Sequence, residues 1–317
     1  MVHERPDRPE RSDFMQQEKR SHRQRLSGVF APVTTPFDER GELLLPELAS
    51  NIEKLNASKL RGYLILGTNG EFKSLSEAER INVVRTVVQV AAKDKVVMVG
   101  TGCESTRQSI DATKEAAGMG IHYVSLISPS FFAKKMTDQA LLSHFRSIAD
   151  VSPVPVLLYN NPEVAVVTYS TGMVGEISKH PNIVGMKDSS KGNFASYLLA
   201  AGPDFNLLAG SANFFLEALV MGGVGGVLSI ANFAPEACCK VYELWGARKL
   251  DEARAEQYRL MTLNQKVSGK FGVAGVKTAM DLFGFYGGPP RSPLLALTSE
   301  EKNKLREDLR TAGFLKT

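Results

Sequence analysis

Short apolar runs punctuated by turn residues recur along the whole chain: GVFAPV from Gly28, GYLIL from Gly62, VVMVGT from Val96, YVSLIS from Tyr123, PVLLYN from Pro155, IVGMK from Ile183, NLLAG from Asn206 and GVLSI from Gly226. Each run is rich in aliphatic residues and bounded by Gly, Pro, Asn or Ser, the pattern of a strand buried on both faces. Between the runs the period changes to that of a helix. Leu45, Leu48, Ile52 and Leu55 fall on one face, as do Leu141, Phe145 and Ile148. Ser76 with Glu79, and Ser105 with Gln108, have the spacing of capping boxes that open the next helices. Strands alternating with helices, each pair taking roughly twenty to thirty-five residues, predict a (β/α)₈ (TIM) barrel over residues 28–231 in preference to an open doubly wound sheet. From Asn232 to Thr317 the pattern is helical with no further buried strand, so residues 232–317 are expected as a C-terminal helical appendage.

A barrel of this kind places its chemistry at the carboxyl ends of the strands. Lys187 ends the sixth run and Tyr159 the fifth. A lone lysine at a strand end is usually a surface charge. Held at the mouth of an apolar cavity, it is a nucleophile toward carbonyls. The segment Gly67, Thr68, Asn69, Gly70, Glu71 leaves the second run with small polar residues and two glycines, which suits backbone N–H groups approaching an anion such as a carboxylate. Taken alone it reads equally as an ordinary turn from strand to helix; three such features on one rim argue for a site.

Composition narrows the partners. The formal charge of +4 is not concentrated in the body of the chain, so nucleic acid is not an expected partner. Residues 1–27 hold seven Lys or Arg and five Asp or Glu with few aliphatic residues, and are expected as a disordered, solvated tail. Their acids argue against a transit peptide, and no apolar stretch has the length of a membrane span; the expectation is a cytoplasmic protein without a membrane partner. Cys103, Cys238 and Cys239 do not form a disulfide framework, and the histidines are scattered with no HExxH or CxxC spacing, so no metal is expected. No GxGxxG or GxxxxGK[ST] motif points to a nucleotide, and Gly222, Gly223, Gly225 and Gly226 read as a tight turn into a strand. Tyr242 and Trp245 lie three apart on a predicted helix and are expected in the core.

From about Leu26 onward the sequence resembles the dihydrodipicolinate synthase and N-acetylneuraminate lyase family of Schiff-base (class I) aldolases, through GTNGE at 67–71, YNNP at 159–162, GMKDSS at 185–190, AGSA at 209–212 and GGVGGV at 222–227. Within that family it is most similar to the 4-hydroxy-2-oxoglutarate aldolases, through GTGCEST at 100–106, PNIVGMKDS and FGVAGVKTAMDLFGFYGGPPRSPL at 271–294. The resemblance implies that Lys187 forms an imine with the keto carbon of pyruvate or a pyruvate-derived substrate. It implies that Tyr159 shuttles protons, and that Thr68 and Asn69 hold the carboxylate, with Gly67, Ser189, Gly210, Ser211 and Val227 around the substrate. No cofactor is then required, because the lysine is the covalent catalyst.

Two positions depart from the family pattern. Where members with a hydroxyl relay carry a tyrosine that reaches into the neighbouring subunit, this chain has Phe131 in SPSFFAKK, and a phenyl ring passes no proton. After YNNP the synthases carry an arginine for the second substrate's carboxylate, whereas here Glu163, Val164 and Ala165 follow Pro162. The leading expectation is therefore cleavage of a 4-hydroxy-2-oxo acid, 4-hydroxy-2-oxoglutarate first, to pyruvate and an aldehyde. The alternatives are a 2-keto-3-deoxy sugar acid aldolase, a dihydrodipicolinate synthase-type condensation, and a non-catalytic ligand-binding relic. A homo-oligomer, a tetramer in preference to a dimer, is implied by the family.

Overall fold

The computed structural model describes residues 11–190 and 192–315. Eight strands, β1 (Gly28–Pro32), β2 (Gly62–Ile65), β3 (Val96–Gly100), β4 (Tyr123–Ile127), β5 (Val156–Asn160), β6 (Ile183–Asp188), β7 (Asn206–Ala209) and β8 (Gly225–Val227), pair in parallel and in sequence order. β8 returns to β1 and closes the barrel, with Phe30 opposite Val227. Each expected run supplies one strand, because a strand covered by side chains inside and by helices outside must be apolar on both faces.

Alternation along the strands sorts the apolar residues into two cores. Phe30, Leu64, Val96, Met98, Tyr123, Leu157, Leu208 and Val227 fill the barrel interior, while their neighbours Val29, Ala31, Tyr63, Ile65, Val97, Val99, Val124 and Leu158 face the helical layer. The predicted helix faces are buried as expected, Leu48, Ile52 and Leu55 on one helix and Leu141, Phe145 and Ile148 on another. Ser76 and Glu79 form the reciprocal capping box. At the next helix Ser105 accepts from the Gln108 N–H, but the Gln108 side chain accepts from the Ser105 hydroxyl at 3.1 Å, so only half of that box is made.

The N-terminal expectation is corrected over its described part. Arg11–Leu26 form a helix; residues 1–10 lie outside the described residues. Its polar composition hides an anchor at the carboxyl end. Leu26 is fully buried in the interior layer, worth about 2 kcal/mol, and His22 Nδ1 lies 3.1 Å from the Tyr123 hydroxyl. The exposed ion pair between Lys19 and Asp204 adds little.

The C-terminal region is helical, with helices at Pro235–Gly246, Leu250–Asn264, Lys270–Leu282 and Ser299–Thr311. A π turn over Gln265–Gly269 precedes a break at Gly272, whose φ of 56° and ψ of −139° interrupt the third of these helices. Tyr242 and Trp245 pack against the core with ring centroids 5.6 Å apart.

Candidate active site

One irregularity of register places Lys187 beside Tyr159. β5 and β6 begin with Val156 opposite Ile183, but the next pair is Leu157 with Gly185, so one extra β6 residue is accommodated between them. Without that bulge Tyr159 would face Met186; with it, Tyr159 pairs with Lys187. Tyr159 shares the strand parity of the interior residue Leu157, and Lys187 lies opposite Leu208, another interior residue. Both side chains therefore enter the barrel at its carboxyl end. Lys187 Nζ lies 4.0 Å from the centroid of the Tyr159 ring, and each residue is only 6% exposed.

The Tyr159 hydroxyl is the hub of the site. It lies 3.2 Å from Thr68 Oγ1 and accepts from Asn161 Nδ2 at 2.7 Å. Asn161 is the N-cap residue of the short helix Pro162–Ala165 but its side chain does not cap it, which leaves the amide for the phenol. Burial pushes the phenol up; the Lys187 charge and the hydrogen bonds with Thr68, Asn161 and Lys187 outweigh burial and hold it below its ordinary value. The strand end is itself braced, since Tyr169 donates to the Tyr159 carbonyl at 3.0 Å and Tyr197 donates to the Tyr169 carbonyl at 2.6 Å.

The turn after β2 closes on the N–H groups of Gly70 and Glu71, which donate to the carbonyls of Gly67 and Thr68, both at 3.1 Å. The N–H groups of Thr68 and Asn69 take no part in that closure. Thr35 Oγ1, in the segment that follows β1, ties the turn down by donating to the Gly70 carbonyl at 2.7 Å. Asn69 is 8% exposed and its Nδ2 is buried without a hydrogen-bond partner, an orphan donor that an incoming carboxylate would satisfy.

A cavity of about 780 Å³ opens beside these groups, lined by Gly67, Thr68, Ser128, Phe131, Tyr159 and Val164 and, across from them, by Phe271–Ala274 and Leu294. Phe131 and Phe132 form part of its wall, 80% and 67% exposed, with rings edge to face at 4.9 Å. Their loop is clamped by Glu104, whose carboxylate accepts from the Ser130 and Phe131 N–H groups, each at 2.9 Å, and from the Ser130 hydroxyl at 3.1 Å. Burial raises the Glu104 pKa, but its ion pair with Lys73 and those N–H groups hold it at about 2.

The structure thus brings Lys187, Tyr159, Thr68 and Gly67 together, with Phe131 at the mouth. Ser189, Gly210, Ser211 and Val227 lie at or just beyond adjoining strand ends, and, like Lys187 and Asn69, they are not among the residues that form the cavity wall. Ser189 N–H donates to the Asn160 carbonyl at 2.8 Å and Gly210 N–H to the Asp188 carbonyl at 2.6 Å, so they knit the ends of β5, β6 and β7. A Cβ at Gly210 would come within 2.0 Å of Ser189 Oγ. Ser211 Oγ caps the following turn by accepting from Asn213 N–H at 3.2 Å. Val227 is buried in the interior layer.

Three supporting residues had no role assigned from the sequence: Asn161, Glu104 and Asp188. Asp188 is fully buried, with Oδ1 accepting from Asn160 Nδ2 and Ser190 Oγ, both at 2.8 Å, and burial raises its pKa. Strand parity was the available signal for Asp188, since the residue after an interior lysine must face the helices. Among the described residues no group of three or more His, Cys, Asp or Glu could hold a metal ion, and no helix is long and apolar enough to cross a membrane.

A sequence profile of the Dihydrodipicolinate synthetase family matches residues 25–312. The chain is 34% identical over 295 residues to a probable mitochondrial 4-hydroxy-2-oxoglutarate aldolase of Emericella nidulans, covering 90% of this chain and 95% of the relative. It is 30% identical over 317 residues to an L-threo-3-deoxy-hexylosonate aldolase of Aspergillus niger, covering 90% and 94%. The crystal structure of the dihydrodipicolinate synthase (DHDPS) of Cyanidioschyzon merolae superposes with a TM-score of 0.86 at 28% identity, over 92% of this chain and 99% of that one. The first of these relatives is named as mitochondrial, so it lends no support to the expected cytoplasmic location. The chain belongs to the dihydrodipicolinate synthetase family and is a carbon–carbon lyase of the aldolase class.

Proposed function

We propose that the protein cleaves a 4-hydroxy-2-oxo acid to pyruvate and an aldehyde through an imine on Lys187. The observation that carries this reading is the buried contact of Lys187 Nζ with the Tyr159 ring, 4.0 Å from its centroid, beside a phenol bonded to Thr68. The Lys187 amine would attack the C2 carbonyl, and loss of water from the carbinolamine would give an iminium. Removal of the C4 hydroxyl proton would break the C3–C4 bond, with its electron pair passing to the iminium nitrogen as an enamine and the aldehyde leaving. Protonation at C3 and hydrolysis would then return pyruvate and the free amine. Tyr159, its phenol held below its ordinary pKa by Lys187, Thr68 and Asn161 against the effect of burial, suits the proton transfers. Thr68 and Asn69 N–H groups and the orphan Asn69 amide suit the carboxylate. On this reading the lysine is the whole covalent apparatus and no cofactor is required.

For the aldehyde half, 4-hydroxy-2-oxoglutarate is the first choice, on similarity to the Emericella relative. A 2-keto-3-deoxy sugar acid is the second reading. It is supported by Val164, which lines the cavity after YNNP where the synthases carry an arginine, because an uncharged polyol end needs no cation there. That same position offers no cation to any carboxylate-bearing aldehyde, whether the partner of a synthase-type condensation or the glyoxylate released from 4-hydroxy-2-oxoglutarate, so the first choice rests on similarity alone. Homo-oligomerisation, with Phe131 facing a neighbouring site, belongs to the same proposal. Pyruvate release assayed in parallel on 4-hydroxy-2-oxoglutarate and on a 2-keto-3-deoxy hexonate separates the two readings; release from neither would refute both.

A further inference from the structure

The stretch FGVAGVKTAMDLFGFYGGPPRSPL carries a lysine that the reaction does not use. Lys277 is fully buried, and its Nζ lies 2.6 Å from Glu71 Oε1, on a side chain that is itself 1% exposed. The same amine donates to the Pro289 carbonyl at 2.8 Å and stands 4.5 Å from the centre of the Phe37 ring. The other oxygen of Glu71 accepts from the Arg291 N–H at 2.8 Å. Glu71 is the last residue of the turn that begins at Gly67, so one buried ion pair joins the candidate carboxylate cradle to the C-terminal helical region. A buried pair of charges seldom stabilises a fold more than apolar packing would, and its location here suggests a more specific use.

The turn is bracketed by two residues without glycine's freedom in the left-handed region, Leu66 with φ 56° and Glu71 with φ 52°. Such conformations persist only where the surroundings over-determine them. Glu71 is fixed three ways: by Lys277, by the Arg291 N–H and through its own N–H to the Thr68 carbonyl. The last bond closes the turn over Thr68 and Asn69, whose own N–H groups take no part in that closure. We propose that Lys277 is a positioning residue of the active site: its buried ion pair with Glu71 holds the 67–71 turn in the conformation that presents Thr68 and Asn69 to the carboxylate of a 2-oxo acid. This rests on the imine reading above. It makes the C-terminal region part of the binding apparatus rather than an appendage.

The test compares borohydride trapping with pyruvate and with acetone, a ketone that lacks the carboxylate, in wild type, Lys277→Met, Glu71→Gln and the double variant, which leaves neither charge unpaired. Lys277→Met and Glu71→Gln are each expected to raise the half-saturating pyruvate concentration about tenfold or more, with the limiting trapping rate within about threefold and acetone trapping within about twofold of wild type. Lys277→Arg, which keeps the charge, is expected to recover most of the pyruvate affinity. If Lys277→Met fails to fold, Glu71→Gln and the double variant carry the same expectation. Pyruvate saturation unchanged in the variants that fold, or pyruvate and acetone trapping falling together, would overturn the proposal and leave the pair a structural staple. Wild type that traps neither ketone would instead overturn the imine reading itself.

Discussion

Replacing Tyr159 by phenylalanine removes one oxygen and leaves the rest of the site in place. The ring stays, so Lys187 keeps its contact 4.0 Å from the centroid, and Tyr169 still bonds the residue's carbonyl. What goes is the 3.2 Å contact with Thr68, the 2.7 Å bond from Asn161 and the interaction of the hydroxyl with the Lys187 amine. Each such bond has a net worth of about 1 kcal/mol, and Asn161 is only half-buried and can turn to water, so the expected loss of stability is about 2–3 kcal/mol. Losing a general acid–base group lowers kcat by about 10²–10⁴-fold, a barrier increase of about 3–5 kcal/mol. The two effects are read in different experiments. Urea unfolding gives the first, and a continuous pyruvate-release assay on a 4-hydroxy-2-oxo acid gives the second. A variant whose kcat stays within about threefold of wild type, with the stability loss as worked, would show that the proton travels by another path and would refute the role given to Tyr159.

Phe131→Tyr is expected to speed imine formation or cleavage, because a hydroxyl reaching the neighbouring subunit's site would connect that subunit's Tyr159–Thr68 pair to solvent; pre-steady-state trapping rates check this, and unchanged rates on every pyruvate-forming substrate would reduce the phenyl ring to packing. His144 is 7% exposed and burial lowers its pKa from 6.5 to about 4. It stays neutral in the fold while the unfolded chain takes up a proton first, so stability should fall as pH drops from about 6.5 to about 4 and level off below, by on the order of 3 kcal/mol from this group. His144→Gln should flatten the unfolding free energy over that window, and an equally steep decline in the variant would contradict the assignment.

The strands were legible because burial on both faces leaves so little freedom of composition, and the period-2 parity that sends Tyr159 inward follows once the strands are placed, whereas Lys187 faces inward only through the bulge. The bulge at Val156 and Leu157 was not, because register is a property of two strands and no single run encodes it. The helix Arg11–Leu26 escaped for a related reason. Its composition is that of a solvated tail, and what holds it is Leu26 in the barrel interior and His22 against Tyr123, contacts that exist only once the barrel has formed. Glu104 and Lys277 read locally as ordinary surface charges. Their partners, the Ser130–Phe131 amides and Glu71, come from other strand ends. Motif position found the residues expected to react, whereas the groups that orient them emerged only from long-range pairing.

The central claim is that Lys187 is the covalent nucleophile, and the mass of the borohydride-reduced protein tests it most directly. Incubation with pyruvate and borohydride should add one reduced pyruvyl group, mapped to the peptide that contains Lys187, and Lys187→Ala should take up none while keeping the far-UV circular dichroism of the wild type. An adduct on another lysine, or no adduct on the wild-type protein, would contradict the account.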